Sequence, residues 1–224
     1  MSDRVSPGEE RKQRVEHKSG VEPVPFLREV LHLLPRGIAL DLATGQGRNA
    51  VYLAEHGWRV IGLDRSRECL RSAEALARER GVVVRYTRLE HADLSQNITG
   101  LVLVESDLEE HLLPAAQFDL VLCINYLQRS LFPDIERALR PGGILVYETY
   151  TVDQCRFTWG PRNPDYLLRR GELLEAFDNL EIIIYREVIE DRARASLLAR
   201  MPVESTTRTG TLRLGGEESC PTHQ

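Results

Sequence analysis

The stretch Ile38-Ala39-Leu40-Asp41-Leu42-Ala43-Thr44-Gly45-Gln46-Gly47-Arg48 decides the fold. Residues 38–42 are a short, mostly aliphatic run, suited to a strand buried on both faces. Glycines after it let the backbone turn tightly and let a ligand approach it closely. From Arg48 the spacing turns helical, with Ala50, Val51 and Ala54 on one face and Gly57 as the stop. Free N–H groups at that helix start suit an anionic or carboxylate-bearing ligand. A strand, a glycine turn and a helix in this order open an alternating α/β chain.

The alternation continues on both sides. Upstream, Pro25 opens a helix with Phe26, Leu27, Val30, Leu31 and Leu34 on one face, ended by Pro35 and Gly37. Downstream, residues 59–63 are a second strand. Ser66 caps a helix whose apolar face is Cys69, Leu70, Ala73, Leu76 and Ala77. Residues 82–86 and 101–105 are both strand-like and one suffices for the third strand; 101–105 are assigned to it, and 82–98 to an inserted hairpin or irregular loop. Then come a strand at 118–124, a helix at 131–140, a turn at Pro141-Gly142-Gly143 and a strand at 144–148. A helix at 171–177 precedes an antiparallel pair, 180–187 and 196–201. This rhythm predicts a seven-stranded, mostly parallel sheet with helices on both faces and an antiparallel last strand. Such sheets bind ligands beyond the carboxyl ends of their strands.

At chain level, 224 residues suit one domain with tails. Residues 1–20 are charged and poor in large apolar groups, and 202–224 are rich in Thr, Gly and Glu, so both read as flexible tails around a domain at 21–201. Within the second tail, residues 211–214 carry a faint strand pattern. No apolar run reaches membrane-spanning length, and the first residues lack the apolar core of a signal peptide, so the expected compartment is the cytoplasm. A net charge of −5 argues against non-specific nucleic-acid binding. Cys69, Cys123, Cys155 and Cys220 are far apart, without a CxxC pair, so no metal site is expected. Cys123, inside an apolar strand, reads as a small core residue.

The loops after the strands carry the chemistry. Gly45-x-Gly47-x-x-Ala50 fits the loose spacing of a dinucleotide-binding turn. Asp64, followed by Arg65, closes the second strand beside that turn, where a carboxylate can accept both hydroxyls of a ribose. After residues 101–105, Asp107 and Leu108 stand where an adenine ring would lie. The loop after 118–124 holds Asn125, Tyr126, Leu127, Gln128 and Arg129.

Together these residues resemble the class I S-adenosylmethionine (SAM)-dependent methyltransferases, over residues 22–201. Residues 39–47 resemble that family's first motif, with Ala43-Thr44 in place of a more familiar Gly-Cys or Gly-Ser. Leu139-Arg140-Pro141-Gly142-Gly143-Ile144-Leu145 resembles its turn into strand five. Gly47-Arg48-Asn49 with Leu53-Ala54 and Gly57, and Pro164-Asp165-Tyr166-Leu167-Leu168 with Gly171-Glu172-Leu173, resemble the tellurite-resistance (TehB-like) branch.

The resemblance implies a Rossmann-like fold, SAM as cofactor and methyl transfer to a small-molecule acceptor. It implies a cofactor site at Asp41, Ala43, Thr44, Gly45, Gly47, Asn49, Asp64, Arg65, Asp107, Leu108 and Asn125. In this reading Gly45 and Gly47 admit the methionine part and Asp41 orders their loop. Asp64 takes the ribose, and Asp107 with Leu108 takes the adenine. Asn125, Tyr126, Arg129, Tyr150 and Trp159 are the acceptor-side candidates, with Arg129 suited to an anionic acceptor. Neither nucleic acid nor membrane is an expected partner, and the oligomeric state is left open. Two alternatives stand beside this reading: a non-catalytic SAM-binding or interaction module, and an NAD(P)-dependent oxidoreductase.

Overall fold

A computed structural model describes residues 21–88, 99–110 and 113–203. Nearly all of both expected tails, with residues 211–214, and most of the expected insertion at 82–98 lie outside the described residues. The chain opens with helix α1 (Pro25–Val30), continued by a 3-10 turn, Leu31–Leu33. Strand β1 (Ile38–Leu42), helix α2 (Arg48–Glu55), β2 (Arg59–Asp64) and α3 (Arg67–Glu79) follow as expected. Ser66 caps α3 by accepting from the Cys69 N–H at 3.3 Å. Beyond lie β3 (Val84–Arg88), β4 (Leu101–Glu105), β5 (Phe118–Ile124), α4 (Phe132–Ala138), β6 (Leu139–Tyr150), α5 (Glu172–Ala176), β7 (Glu181–Ile189) and β8 (Ala193–Arg200).

The strands form one sheet in the order β3-β4-β2-β1-β5-β6-β8-β7. All neighbours from β3 to β6 pair in parallel, and β8 runs antiparallel to both β6 and β7. The chain's last described strand is therefore the reversed one, as expected. The strand count is eight, not seven. Residues 101–105 do take the place beside β2, but 84–88 also join the sheet, as an edge strand outside β4. Their mixture of half-buried and exposed residues suits an edge, and pairing covers backbone groups that β4 would otherwise present unpaired.

Strand alternation sorts the core onto two faces. Ala39, Leu120, Leu122 and Val146 meet Phe26, Leu27, Val51, Leu53, Leu70 and Ala73 from α1 to α3. Leu40, Leu42, Val121, Cys123 and Leu145 meet Phe132, Ile135, Leu173 and Phe177 from α4 and α5. The expected turn at 141–143 is absorbed into β6 as an irregularity. Phe118 pairs with Leu139, and Leu120 with Ile144. At Gly143 a Cβ would lie 2.8 Å from the carbonyl oxygens of Arg140 and Phe118, so only glycine fits there. The strand order reverses between β1 and β5, whose carboxyl ends open on a cleft. Among the described residues no helix is long and apolar enough to cross a membrane.

Candidate functional site

The loop after β1 is stitched in place by its own residues. Ala43 takes a left-handed conformation, with φ at 51°. The Thr44 N–H donates to the Leu63 carbonyl at 2.9 Å, which ties the loop to β2. The Thr44 hydroxyl donates to Asp41 Oδ2 at 2.6 Å. Burial pushes the Asp41 carboxyl up to about 7, against the lowering effect of that hydrogen bond.

The two glycines of the loop do different jobs. Gly45 has φ at 56°, and a Cβ there would meet only the Ala43 carbonyl, 3.9 Å away. Its cleft side is open to a ligand. Gly47, with φ at 78°, would carry a Cβ 2.5 Å from the Ala73 Cβ. Its bareness lets α2 pack on α3, and Gly47 lines neither cavity of the cleft. Beside the expected access for a ligand, Gly47 therefore has a packing role.

Asp64 joins the first two loops. Its Oδ2 accepts from the Gly45 N–H and its Oδ1 from the Ser66 N–H, both at 2.8 Å. Each oxygen keeps acceptor capacity for a further donor. Across the strand ends, Asp107 Oδ1 accepts from the Glu109 N–H at 3.0 Å, while Leu108 is buried beside it.

Two adjoining cavities make up the cleft. The smaller, about 270 Å³, is lined by Asp41, Thr44, Gly45, Arg48 and Asn49, among others. The larger, about 680 Å³, has Asp64, Arg65, Asp107 and Leu108 on one side. Tyr126, Arg129 and Tyr150 lie on the other. Ala43 and Asn125 line both cavities and form the seam between them. Both have positive φ, 51° and 56°, although neither is glycine. Strained backbone of this kind persists where the surroundings hold it, and it collects at ligand sites. The Asn125 N–H is held by the Glu148 carbonyl at 2.8 Å.

The acceptor-side candidates part company. Tyr126 lines the larger cavity, its hydroxyl donates to Gln128 Oε1 at 2.5 Å, and burial pushes it up to about 12. Arg129 also lines it, but its guanidinium is engaged elsewhere. It donates to both carboxylate oxygens of Glu172, at 2.5 and 3.0 Å, and to the carbonyls of Asp165 and Leu167, each at 2.9 Å. Arg129, expected on the acceptor side, is thus also a brace between the β5 loop and residues 165–172. Trp159 lines neither cavity. It is 45% exposed, with the Arg192 guanidinium 5.3 Å from its ring centre. Asn49 lines the smaller cavity while its side-chain oxygen accepts from the Val24 N–H at 3.0 Å, anchoring the start of α1. Burial pushes the Cys123 thiol up to about 12, in keeping with a core residue.

Sequence reasoning did not single out Gln46 and Arg48 on the smaller cavity, nor Ser106, Glu109, Thr149, Pro161, Asp165 and Tyr166 on the larger. Arg48 carried a signal, as the first helical residue after Gly47. Pro161 carried none, because only the chain's return beyond β6 brings it to the cleft.

Comparison with known proteins agrees with this geometry. Residues 40–147 match the family described as a methyltransferase domain. A glycine/sarcosine N-methyltransferase from Halorhodospira halochloris is 28% identical over 123 residues, covering 51% of this chain and 40% of that protein. An uncharacterized protein, UNK4.09, from Schizosaccharomyces pombe is 26% identical over 218 residues, covering 82% of this chain and 64% of its own length. The chain thus spans less than two thirds of these curated relatives. The solved structure of TehB from Haemophilus influenzae superposes with a TM-score of 0.60 at 15% identity, covering 80% of this chain and 62% of that one. At that identity the likeness is one of fold.

Proposed function

We propose that this chain, which carries a class I SAM-dependent methyltransferase domain, methylates a small-molecule acceptor and releases S-adenosylhomocysteine. The observation that supports this best is the continuity of the cleft. A narrow lobe at the glycine loop opens, past Ala43 and Asn125, into a lobe two to three times larger. That geometry accommodates a cofactor and a second molecule together, which a non-catalytic SAM-binding module does not need. The methyltransferase-domain match sets the oxidoreductase alternative aside.

The residues present fit the cofactor. The open side of Gly45 and the remaining acceptor capacity of Asp64 are the two features that speak for it. In this reading Asp41, Thr44, Gly45, Arg48 and Asn49 surround the methionine part, with Asp41 on the side of its amino end and Arg48 on the side of its carboxylate end. Asp64 accepts from the ribose hydroxyls, and Asp107 with Leu108 borders the adenine. Arg65 stands beside the ribose, and Ala43 and Asn125 flank the point of transfer. When bound, SAM supplies a methyl group already activated on a sulfonium.

The protein's own work is then alignment and exclusion of water. Tyr126, Tyr150 and Tyr166 border the space where an acceptor would stand, and the Arg129 brace holds residues 165–167 beside it. Asp107, Glu109, Asp165 and Tyr126 line the larger cavity, so carboxylates and a phenol stand beside an acceptor that needs a base. The domain is taken to span 21–201, with 1–20 and 202–224 as tails outside it, and the compartment to be the cytoplasm.

Calorimetric titration with S-adenosylhomocysteine, with NADH as control, tests the reading. Micromolar binding of the first alone supports it, and absent binding or preference for NADH overturns it. Production of S-adenosylhomocysteine with a panel of thiols, amines, phenols and oxyanions then identifies the acceptor class.

A further inference from the structure

The far end of the sheet holds a separate cavity, of about 380 Å³. It lies where the chain enters β1 and β2, away from the carboxyl-end cleft. Arg28 from α1, His32 from the following 3-10 turn, Arg36 from the link into β1 and His56 from the end of α2 line it. Leu31, Leu34 and Trp58 complete the lining, and Leu34 and Trp58 are buried. Arg28 and His32 are four residues apart on a continuous helical stretch, so they share a face.

The charge balance sets this cavity apart. Among the described residues no lining residue is acidic. The acids next in sequence are committed elsewhere: Glu29 pairs with Arg186, and Glu55 with Arg80. Among the described residues, Arg28, His32 and Arg36 have neither an ion pair nor a side-chain hydrogen bond, whereas Arg80, Arg129, Arg140 and Arg186 all have carboxylate partners. Two guanidiniums facing one concavity, with no acidic residue in its described lining, form a concentrated positive field in an otherwise acidic protein, while the His56 ring is held 2.8 Å from the Tyr52 carbonyl. The planar guanidinium fork matches phosphate oxygens in pairs. The leucines and Trp58 beside it suit an apolar group on the same molecule.

We propose that this cavity is a binding site for a small phosphomonoester carrying an apolar moiety, separate from the methyl-transfer cleft. The inference does not depend on the methyltransferase reading, since no residue is shared between the two regions.

Thermal unfolding of the full chain at constant ionic strength, without and with saturating S-adenosylhomocysteine, tests it with phenyl phosphate and inorganic phosphate. Phenyl phosphate should raise Tm saturably, by about 3 to 6 °C at ten times its dissociation constant. Inorganic phosphate should bind more weakly. The double variant R28Q/R36Q should weaken phenyl phosphate at least about tenfold, with the cooperative unfolding transition of the ligand-free chain unchanged as evidence of folding. R28K/R36K, which keeps the charge without the fork, should fall between. Three results would overturn the proposal: no saturable shift, a shift that survives in R28Q/R36Q, or a shift seen only without S-adenosylhomocysteine. Tighter binding of a short single-stranded RNA through the same arginines would also overturn the small-molecule assignment.

Discussion

The two lobes of the cleft are built in opposite ways. The narrow lobe comes largely from one loop and its helix, residues 41–49, with Asp64 locking the loop through a 2.8 Å hydrogen bond. The wide lobe gathers residues from after β2, β4, β5 and β6 and from the segment at 161–166. Its outer wall is held by Arg129, which donates to Glu172, Asp165 and Leu167. A lobe made locally carries its stress in its own backbone and in a buried acid. A lobe made from distant segments depends on the few side chains that join them.

The largest expected effect lies in the narrow lobe and concerns pH. Burial raises Asp41 from the usual 3.8 to about 7, so between these values the folded chain holds a proton that the unfolded chain releases. Unfolding free energy should therefore fall as pH rises from 4 to 7, by up to about 4 kcal/mol, and level off above. Chemical denaturation of wild type and Asp41→Asn across pH 5 to 8 checks the sign. The slope should vanish in the variant, and a wild-type slope of the opposite sign would refute the account. Affinity for S-adenosylhomocysteine should instead rise through pH 7, as an ionised Asp41 faces the cationic amino group of the ligand.

Next in size, Asp64→Ala should weaken S-adenosylhomocysteine by about 3 kcal/mol, because two ribose hydroxyls lose a charged acceptor. Calorimetry reads this directly, and unchanged affinity would remove Asp64 from the site. In the wide lobe, Arg129→Ala leaves Glu172 buried without its main partner and should cost about 2 to 3 kcal/mol of stability. Hydrogen exchange should quicken at 161–168 while cofactor affinity stays within a few-fold. A large loss of cofactor affinity would show the lobes to be one unit.

Two smaller effects sharpen the contrast. Gly45→Ala meets no close neighbour but must hold φ at 56°, so about 1 kcal/mol of stability should be lost along with cofactor affinity. Trp159→Phe, outside both cavities, should change S-adenosylhomocysteine binding by less than about 0.5 kcal/mol.

The same contrast explains what could be read in advance. β1, the glycine turn and α2 lie within twenty residues, and their signals are local: an aliphatic run, two glycines and a change of period. The third strand was harder. Residues 82–86 and 101–105 have similar composition, and a lone sequence does not say that one lies inside β4 and the other outside it. Gly45 and Gly47 look alike in the chain, yet one faces the cleft and the other Ala73 from α3. Arg129 is legible as an acceptor-side residue, but only the return of residues 163–172 supplies its partners, Glu172 and two carbonyls.

By itself, then, the sequence determined the α/β alternation, the reversed final strand and the acids at the ends of β1, β2 and β4, because periodicity and turn chemistry act over a few residues. Only the tertiary structure decided the eighth strand, the packing role of Gly47, the bracing role of Arg129, the exposure of Trp159 and the uncompensated arginines at the far end of the sheet. Each depends on a partner many residues away, and which partner arrives is set by how helices and strands pack.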